Sequence, residues 1–488
     1  MPEASNNVGT NLPHSHIFTT FAKPFYFYNQ PQTIFQNMRI KQYIVSMLCA
    51  ATACGASAQT LQAFDETAEQ KEKRMEWFQN AKLGIFVHYG IYAVNGVSES
   101  WSFYNKYLPY EQYMTQCDGF TAKNYDPKAW VDLIKESGAR YTVLTTKHHD
   151  GVALWDTKAP NALSTVKNTA AKRDLVTPFV KEVRKAGLKL GLYWSIIDWS
   201  HPDYPNYTRQ DSRYEIKNDS ARWKRFLAFD NQQLEELNRF KPDLYWFDGD
   251  WEQTAETWNA KGIRRMLYDA NHNVIVNSRI QGYGDYATPE QGIPVVRPES
   301  KWWELCMTMN DSWGYQQADT NFKSPFMLLR TFVDCLSMGG NLLLDIGPKA
   351  DGTIPDEEVA VLKEFGRWTK KHSEAIYGTR AGIPTEHFQG YSTLNKAGDI
   401  LYLYLPYKPN GPIEVKGLMN KVNRVWVVGD GEIIPSKVYN KNYWSDVPGN
   451  LYIDVPEKAL DPMITVVAVL LDGPVKLYRG VGKVIESN

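Results

Sequence analysis

The chain has 488 residues, which is enough for more than one domain. Its 54 basic and 55 acidic side chains give a formal net charge of -1, so neither nucleic acid nor an anionic membrane surface is indicated as a partner. Aromatic residues make up 13% of the chain, and their rings suit both stacking on sugars and core packing.

The N-terminal 58 residues have the pattern of a leader followed by a signal peptide. Residues 1–37 show no folding pattern, and we predict a disordered or non-native leader before Met38. Residues 38–58 combine a short basic start, an apolar run too short to span a membrane, and a small-residue cleavage site before Gln59. The sequence therefore predicts an exported protein, periplasmic or secreted, without a membrane span. A lipid anchor at Cys54 is an alternative that its preceding residues match poorly.

Predicted strands and helices alternate from residue 59 to about residue 380. The predicted helices cover residues 69–79, 127–138, 176–187, 220–240, 257–270, 324–337 and 356–372, and the predicted strands cover residues 82–90, 141–151, 188–194, 243–248, 274–279 and 341–347. This alternation over this length predicts an α/β fold, a TIM-like (β/α) barrel as the catalytic domain.

The pattern changes in residues 381–488. Short apolar runs lie between Gly, Pro and Asn turns, and no helical period separates them. These features predict a C-terminal all-β sandwich domain.

Cys117, Cys306 and Cys335 are scattered and odd in number outside the predicted leader. They indicate neither a disulfide framework nor a Cys-based metal site. We expect buried free thiols, with one disulfide as the alternative.

Asp248 ends a short apolar and aromatic strand that follows Pro242 and precedes Gly249. Burying a carboxylate at a strand tip costs free energy unless it is paired or used. Because catalytic residues sit at the C-terminal ends of barrel strands, Asp248 is a candidate nucleophile of a glycoside hydrolase. A strand-end Asp that caps the next turn is the equally weighted structural interpretation.

A retaining glycosidase needs a second carboxyl about 5–5.5 Å from the first. Glu290 is the first candidate, in a turn-rich loop where Pro289 keeps Thr288 out of the helical region. Glu304 is the alternative acid/base, because neighbouring indoles would raise its pKa by desolvation. Glu99 lies near another predicted strand end.

His88, His148 and His149 lie at ends of predicted strands, where neutral imidazoles can bind sugar hydroxyls. Adjacent strand residues point to opposite faces, so His148 and His149 do not predict a metal site. Arg279 could pair with a site carboxylate or form a structural salt bridge, and Trp101, Trp194, Trp246 and Trp313 could line a pocket or pack in the core. No phosphate-binding or dinucleotide motif is present, and we predict no cofactor.

The chain resembles the α-L-fucosidases of glycoside hydrolase family 29 in an ordered set of short motifs. These run through residues 84–90, 147–151, 191–195, 245–249, 285–290, 312–315 and 340–348. The resemblance implies a retaining exo-hydrolase that releases terminal α-L-fucose from a fucosylated oligosaccharide or glycoconjugate.

The same resemblance implies roles for individual residues. It makes Asp248 the nucleophile and Glu290 the acid/base, although the acid/base position varies among branches and leaves Glu304 open. The positions that match fucose contacts are His88, His148, His149, Trp246 and Arg279, with Tyr193 and Trp313 as ring-lining positions. Ser100 interrupts the family's Ser-Glu-Trp element, which puts the sugar contacts of Glu99 and Trp101 in doubt.

Two other functions remain open from the sequence. An α-L-galactosidase would use the same scaffold, because L-galactose differs from L-fucose only by a hydroxyl at carbon 6. A non-catalytic fucose-binding protein would keep the pocket but not the chemistry, and the presence of both carboxyl groups argues against it.

Overall fold

Parallel strands form a ring that is surrounded by helices. Most of the polar candidate site residues lie at one end of this ring. The structure is a computed structural model that describes residues 61–480, and these belong to one compact unit. The predicted leader, signal peptide and cleavage site lie outside the described residues.

The helices and strands are numbered in chain order. The helices are α1 (Ala68–Ala81), α2 (Trp101–Tyr104), α3 (Tyr110–Met114), α4 (Gln116–Gly119), α5 (Pro127–Glu136), α6 (Val176–Ala186), α7 (Ser220–Asn238), α8 (Ala255–Trp258), α9 (Ala260–Ala270), α10 (Pro325–Ser337), α11 (Asp356–Lys371) and α12 (Ser373–Ile376). The strands are β1 (Leu83–Val87), β2 (Tyr141–Lys147), β3 (Val152–Ala153), β4 (Leu163–Ser164), β5 (Lys189–Ser195), β6 (Leu244–Asp248), β7 (Ile275–Val276), β8 (Glu304–Met307), β9 (Asn341–Ile346), β10 (Arg380–Ala381), β11 (Tyr391–Leu394), β12 (Ile400–Leu405), β13 (Ile413–Val415), β14 (Val422–Val427), β15 (Ser436–Tyr439), β16 (Asn450–Ile453) and β17 (Thr465–Leu471).

Seven of these strands form a parallel sheet in the order β7-β6-β5-β2-β1-β9-β8. Single parallel bridges continue the pairing from β7 to β8 across residues 286–290, and they join Asn277 to Tyr286 and Glu290 to Cys306. This extended segment closes the curled sheet, so the predicted TIM-like barrel is confirmed. Glu290 is thereby fixed to the barrel wall.

Local sequence chemistry explains the outer helices. The face of α6 that carries Val176, Phe179 and Val183 is buried, and the helix ends at Gly187 with φ 75°. That left-handed conformation favours glycine, as predicted for this C-cap. In α5 the Asp126 side chain accepts bonds from the first turn's backbone amides, which a helix leaves unpaired.

Two predicted elements differ from the structure. The helix expected at 257–270 is divided into α8 and α9 because Asn259 adopts a left-handed conformation with φ 56°. The strand expected at 274–279 has only two paired residues. Beyond them, the Asn277 side-chain amide makes both bonds to the Phe247 backbone, at 2.9 Å each, so a side chain replaces the strand backbone.

Strand β8 was not predicted, and Glu304 is its first residue. The four residues of this strand are too few for alternation to distinguish them from a loop in the sequence.

The C-terminal part contains a five-stranded and a three-stranded antiparallel sheet that pack as a sandwich. Successive side chains of strand β12 alternate between the two faces of its sheet. Leu401 and Leu403 face the sandwich core, whereas Tyr402 and Tyr404 pack against the barrel. The predicted β-sandwich is confirmed, and one of its sheets also covers the barrel.

Within residues 61–480, no helix is both long enough and apolar enough to cross a membrane. Cys117, Cys306 and Cys335 are buried free thiols, as expected.

A buried charge network anchors the segment that closes the barrel. Asp285 accepts two bonds of 2.8 Å from Arg74, one of 2.9 Å from Arg264 and one of 2.9 Å from the Val276 amide. Although burial alone raises the pKa of the Asp285 carboxyl, Arg264 and Arg74 hold it below its usual range. The network ties α1 and α9 to the start of residues 285–290.

We expect Asp285→Asn to lower the free energy of unfolding by roughly 3–5 kcal/mol, because it removes the buried charge that Arg264 and Arg74 share, and only Arg74 keeps another acidic partner, Glu66. Urea denaturation measures this loss. The control is Asp269→Asn on α9, whose ion pair with Arg265 is exposed. This control should change stability by less than about 1 kcal/mol, and equal losses in the two variants would contradict the network's role.

Candidate active site

Asp248 is the last residue of β6, at the C-terminal end of the barrel. Gly249 follows with φ 94°, and a Cβ there would lie 2.6 Å from the Ile197 side chain. Only glycine fits this close turn without strain, so the chain leaves the strand sharply and the Asp248 carboxylate remains at the strand tip. The Asp248 side chain is 12% exposed.

Glu290 lies on the extended segment between β7 and β8. The Cys306 amide donates to the Pro289 carbonyl at 3.1 Å, and the Gln291 amide donates to the Cys306 carbonyl at 2.9 Å. These bonds on both sides of Glu290 pair its backbone with β8 in an extended conformation. They hold its side chain at the barrel mouth.

Arg279 brings the two carboxylates together. Its Nη1 donates to Asp248 Oδ1 at 2.8 Å, and its Nη2 donates to Glu290 Oε2 at 2.5 Å. Burial by itself lowers the pKa of Arg279, but the charges of Asp248 and Glu290 raise it above its usual value. The positively charged guanidinium of Arg279 therefore binds both acidic groups at the same time.

Glu290 lies in a polar and partly open environment. Its side chain is 39% exposed and its close partner is a cation. The loop residues that follow turn away from it into solvent, and Val295 is 99% exposed. Sequence alone does not reveal which way such a loop turns.

Asp248 has two further polar neighbours. Tyr193 Oη donates to Oδ2 at 3.0 Å, and His149 Nε2 lies 3.5 Å from the same oxygen. The Ser195 hydroxyl donates to the Ile197 carbonyl at 2.6 Å, so it accepts a bond from Nδ1 of His149. That tautomer leaves Nε2 of His149 as an acceptor beside Asp248.

The three histidines lie in one pocket and are electrically neutral. Burial lowers the pKa of His149 to about 3, and it lowers the pKa values of His88 and His148 well below the usual range. His88 Nδ1 lies 2.6 Å from Asp345, and His148 Nδ1 lies 2.6 Å from the Ser100 hydroxyl. Polar partners behind the rings fix their orientation.

His148 and His149 do not diverge as the strand argument predicted. Strand β2 ends at Lys147, so the alternation of faces no longer applies to the two residues that follow. Their ring centroids are 4.4 Å apart, although His148 stacks on Tyr193 whereas His149 contacts Trp199. Among residues 61–480, no three potential metal ligands are grouped so that they could hold an ion.

Aromatic rings form the floor and one wall of the pocket. Phe86 is central and lies 4.4 Å from His88, 5.1 Å from Trp246 and 6.1 Å from Trp313, as ring-centroid distances. The Arg279 guanidinium lies over the Trp246 ring at 4.4 Å. Sequence reasoning missed Phe86, because a Phe inside an apolar strand has no feature that distinguishes a pocket floor from ordinary core.

Trp101 and Glu99 flank the pocket at different depths. Trp101 is half-buried, and its ring lies 5.5 Å from His149. Glu99 is buried behind the pocket and accepts a bond of 2.7 Å from the Gly314 amide, next to Trp313. Burial raises the pKa of Glu99 to about 7. Trp194 is fully buried against Phe247, so it packs in the core.

Glu304 lies at the N-terminal start of β8, the opposite end of the barrel from Asp248. It is fully buried and accepts bonds from Tyr141 Oη and from the Trp246 indole, the latter at 3.1 Å. Burial raises its pKa to about 7, as the neighbouring indoles led us to expect. Its contacts place it beneath Trp246 rather than at the mouth.

Two carboxyl groups held at one barrel mouth above a pocket of neutral imidazoles and aromatic rings define a glycoside hydrolase. The family model for alpha-L-fucosidase matches residues 47–374. The tissue alpha-L-fucosidase of Mus musculus is 32% identical over 375 residues, which cover 70% of this chain and 80% of that enzyme. The Bos taurus tissue enzyme is 32% identical over 340 residues, which cover 62% and 69%.

Solved structures give the same result. Alpha-L-fucosidase isoenzyme 1 from Paenibacillus thiaminolyticus superposes with a TM-score of 0.74 at 33% identity, covering 82% of this chain and 99% of its own. A glycoside hydrolase family 29 enzyme from Bacteroides thetaiotaomicron, trapped as a covalent intermediate with 2-fluoro-fucosyl fluoride in a glutamate-to-glutamine mutant, has a TM-score of 0.73 at 27% identity, covering 86% and 99%. The chain belongs to the α-L-fucosidase family, glycoside hydrolase family 29.

The buried Glu304 carboxyl generates a pH prediction. Its pKa is about 7 in the folded protein against the ordinary 4.5, so the folded state binds more protons between these values and stability falls as pH rises through this window. The loss amounts to roughly 3 kcal/mol. Glu304→Gln cannot ionise, so urea midpoints measured at pH 5 and pH 8 should fall less in the variant than in the wild type.

The matched control is Glu256→Gln on α8, where the side chain is exposed. Its urea midpoints should follow the wild-type pH dependence. A Glu304→Gln variant that also follows it would show that Glu304 is not protonated in the folded protein.

Proposed function

We propose that Asp248 is the nucleophile and Glu290 the general acid/base of a retaining hydrolysis that releases terminal α-L-fucose from fucosylated glycans. The observation that carries this proposal is the bridging by Arg279, which donates one bond to each carboxylate. Retaining glycosidases place their two carboxyl groups about 5–5.5 Å apart, and binding to one guanidinium holds two groups close enough to permit such a spacing. The glutamate mutant used to trap the covalent intermediate of the Bacteroides relative supports the same pairing of roles.

In the first step an oxygen of Asp248 attacks the anomeric carbon of fucose. The bond from that carbon to the leaving oxygen breaks, and Glu290, which carries a proton at the start of this step, gives that proton to the leaving oxygen. In the second step Glu290 takes a proton from water as the water oxygen attacks the same carbon, and the bond from that carbon to the Asp248 oxygen breaks. Fucose leaves with its anomeric configuration retained, and both carboxyl groups return to their starting states.

The pocket beneath these groups suits a single terminal sugar. Neutral His88, His148 and His149 can exchange hydrogen bonds with hydroxyl groups without introducing a buried charge. Phe86, with its neighbours Trp246 and Trp313, offers an apolar surface for the methyl group of fucose. A pocket closed at its floor by these rings admits a chain end and excludes the middle of a glycan.

Glu304 is assigned a positioning role in this proposal. It lies at the other end of the barrel and is fully buried, so it has no route to a leaving oxygen above Asp248. Its bond to the Trp246 indole holds that ring in the pocket wall. The domain assignment is likewise a proposal, with the catalytic barrel at residues 59–380 and the β-sandwich at residues 381–488.

We expect Asp248→Ala and Glu290→Ala each to lower kcat by at least about 100-fold, because each removes a group required in the transition state. Azide should restore turnover to the Asp248 variant and give fucosyl azide of inverted configuration. With Glu290→Ala, azide should give the retained product. Product configuration is read by proton NMR.

Asp250→Asn is the control, because this neighbouring carboxylate binds the Gln281 amide instead of facing Arg279. Its kcat should stay within about tenfold of the wild type. Near-full activity of the Asp248→Ala variant would show that Asp248 is not the nucleophile.

We further propose that the chain is exported, to the periplasm or beyond the cell, with a mature N-terminus near Gln59. The support is the signal-like pattern of residues 38–58. Mass spectrometry of protein recovered outside the cytoplasm should show a chain that begins near Gln59. Ala56→Glu, which disturbs the small-residue cleavage site, should block processing, and an unprocessed wild-type chain would contradict export.

A further inference from the structure

An exposed indole stands at the rim of the pocket and has no role in the chemistry described above. Trp251 follows the proposed nucleophile by three residues and is 49% exposed. One side of its ring lies parallel to Trp101, at 6.1 Å between centroids and 16° between planes. Its ring centroid lies 5.8 Å from that of His149, with the two planes at 86°, and His149 contacts Asp248. The Trp251 ring is therefore a large apolar surface exposed to solvent, and His149 connects it to Asp248.

The next residue fixes the position of this indole. Glu252 accepts bonds from Tyr204 Oη at 2.6 Å, Asn206 Nδ2 at 2.7 Å and the Trp199 indole at 2.9 Å. Tyr104 Oη adds a fourth at 3.3 Å. Four donors on one carboxylate are far more than a solvated loop glutamate needs, and they lock the short turn that carries Trp251.

The residue before Trp251 is fixed as well. The Asp250 carbonyl accepts bonds from Trp258 Nε1 and Gln281 Nε2, and its carboxylate accepts one from the Gln281 amide. Gln281 lies two residues after Arg279, so the turn with Trp251 is tied to the segment that orients both carboxylates. These bonds therefore hold the Trp251 indole in a fixed position in which it is exposed to solvent.

The position of the rim decides what Trp251 can touch. The fucose pocket is floored by buried rings, so the part of a substrate that extends outward is the leaving group. Glu290, which must reach the leaving oxygen, is 39% exposed and is linked to Asp248 through Arg279. Trp251 approaches the same Asp248 through His149, and its exposed aromatic face is suited to the apolar face of a sugar ring.

We propose that Trp251 is the platform on which the leaving-group sugar of the glycan stacks, and that Glu252 is the positioning residue that holds it there. The inference rests on the proposed function of Asp248 and Glu290 and specifies the part of the substrate beyond fucose. The ligand class is a pyranose ring linked to the fucose through the scissile oxygen. Trp251 thereby selects oligosaccharide substrates over fucosides without a sugar leaving group.

The test compares two substrates that differ only in the leaving group. α-L-Fucosyl fluoride loses a single atom and cannot touch Trp251, whereas a fucosylated lactose presents a sugar ring to it. Trp251→Ala should lower kcat/KM for the fucosylated lactose about tenfold or more, and it should leave kcat/KM for the fluoride within about twofold. Trp251→Phe should recover part of the loss, because a smaller aromatic face remains.

The matched control is Tyr443→Ala, which removes a ring that is 96% exposed in the C-terminal part of the chain. It should change neither substrate. A loss of equal size on both substrates, or no loss on the oligosaccharide, would overturn the role of Trp251. A wild-type enzyme that hydrolyses neither substrate would instead overturn the proposed function itself.

Glu252→Gln tests the positioning role through a double-mutant cycle. Alone, it should lower kcat/KM for the fucosylated lactose in the same direction as Trp251→Ala while sparing the fluoride. In the Trp251→Ala background it should add little, because the ring it positions is absent. A loss that adds fully in that background, or that extends to the fluoride, would show that Glu252 only stabilises the fold.

Discussion

The ion pairs of Arg279 with Asp248 and Glu290 are the interaction on which the site depends. The carboxylates come from different barrel segments, and each would repel the other if the guanidinium were absent. Because Arg279 lies over the Trp246 ring and between the two acidic groups, its position is set by packing as well as by charge. Arg279 therefore fixes the distance between the two carboxylates and their position relative to the Trp246 ring.

The barrel supports this arrangement from below and behind with groups that do not face the substrate. Asp285 and its two arginines hold the start of the closing segment, and Glu304 holds the indole of Trp246. Asp345, Ser100 and Ser195 each bind the Nδ1 of one pocket histidine. Preorganised polar groups in a buried site lose little entropy when a substrate binds, which explains why so many buried polar side chains are kept there.

The pocket and its rim have opposite characters. Inside, the rings are buried and the imidazoles are neutral, because desolvation disfavours their charged forms. At the rim, Glu290 and Trp251 are exposed, and Glu252 fixes the turn through four donors. The inner part is suited to recognising one small sugar, and the outer part is available to whatever that sugar is attached to.

The sequence by itself determined the barrel and the β-sandwich, and it singled out Asp248 and Glu290 as candidate carboxyl groups while leaving Glu304 open as the acid/base. The end of a strand, as at Asp248-Gly249, and the regular alternation of strands with helices are local patterns. They can therefore be recognised in the sequence alone. Only the tertiary structure decided that Glu290 is exposed, that Glu304 begins a strand at the far end of the barrel, and that His148 and His149 share a pocket. These outcomes depend on where strands end and on which distant side chains meet, as when Asn277 replaces backbone pairing beside Phe247. Such contacts join residues far apart in the chain, so no local pattern encodes them.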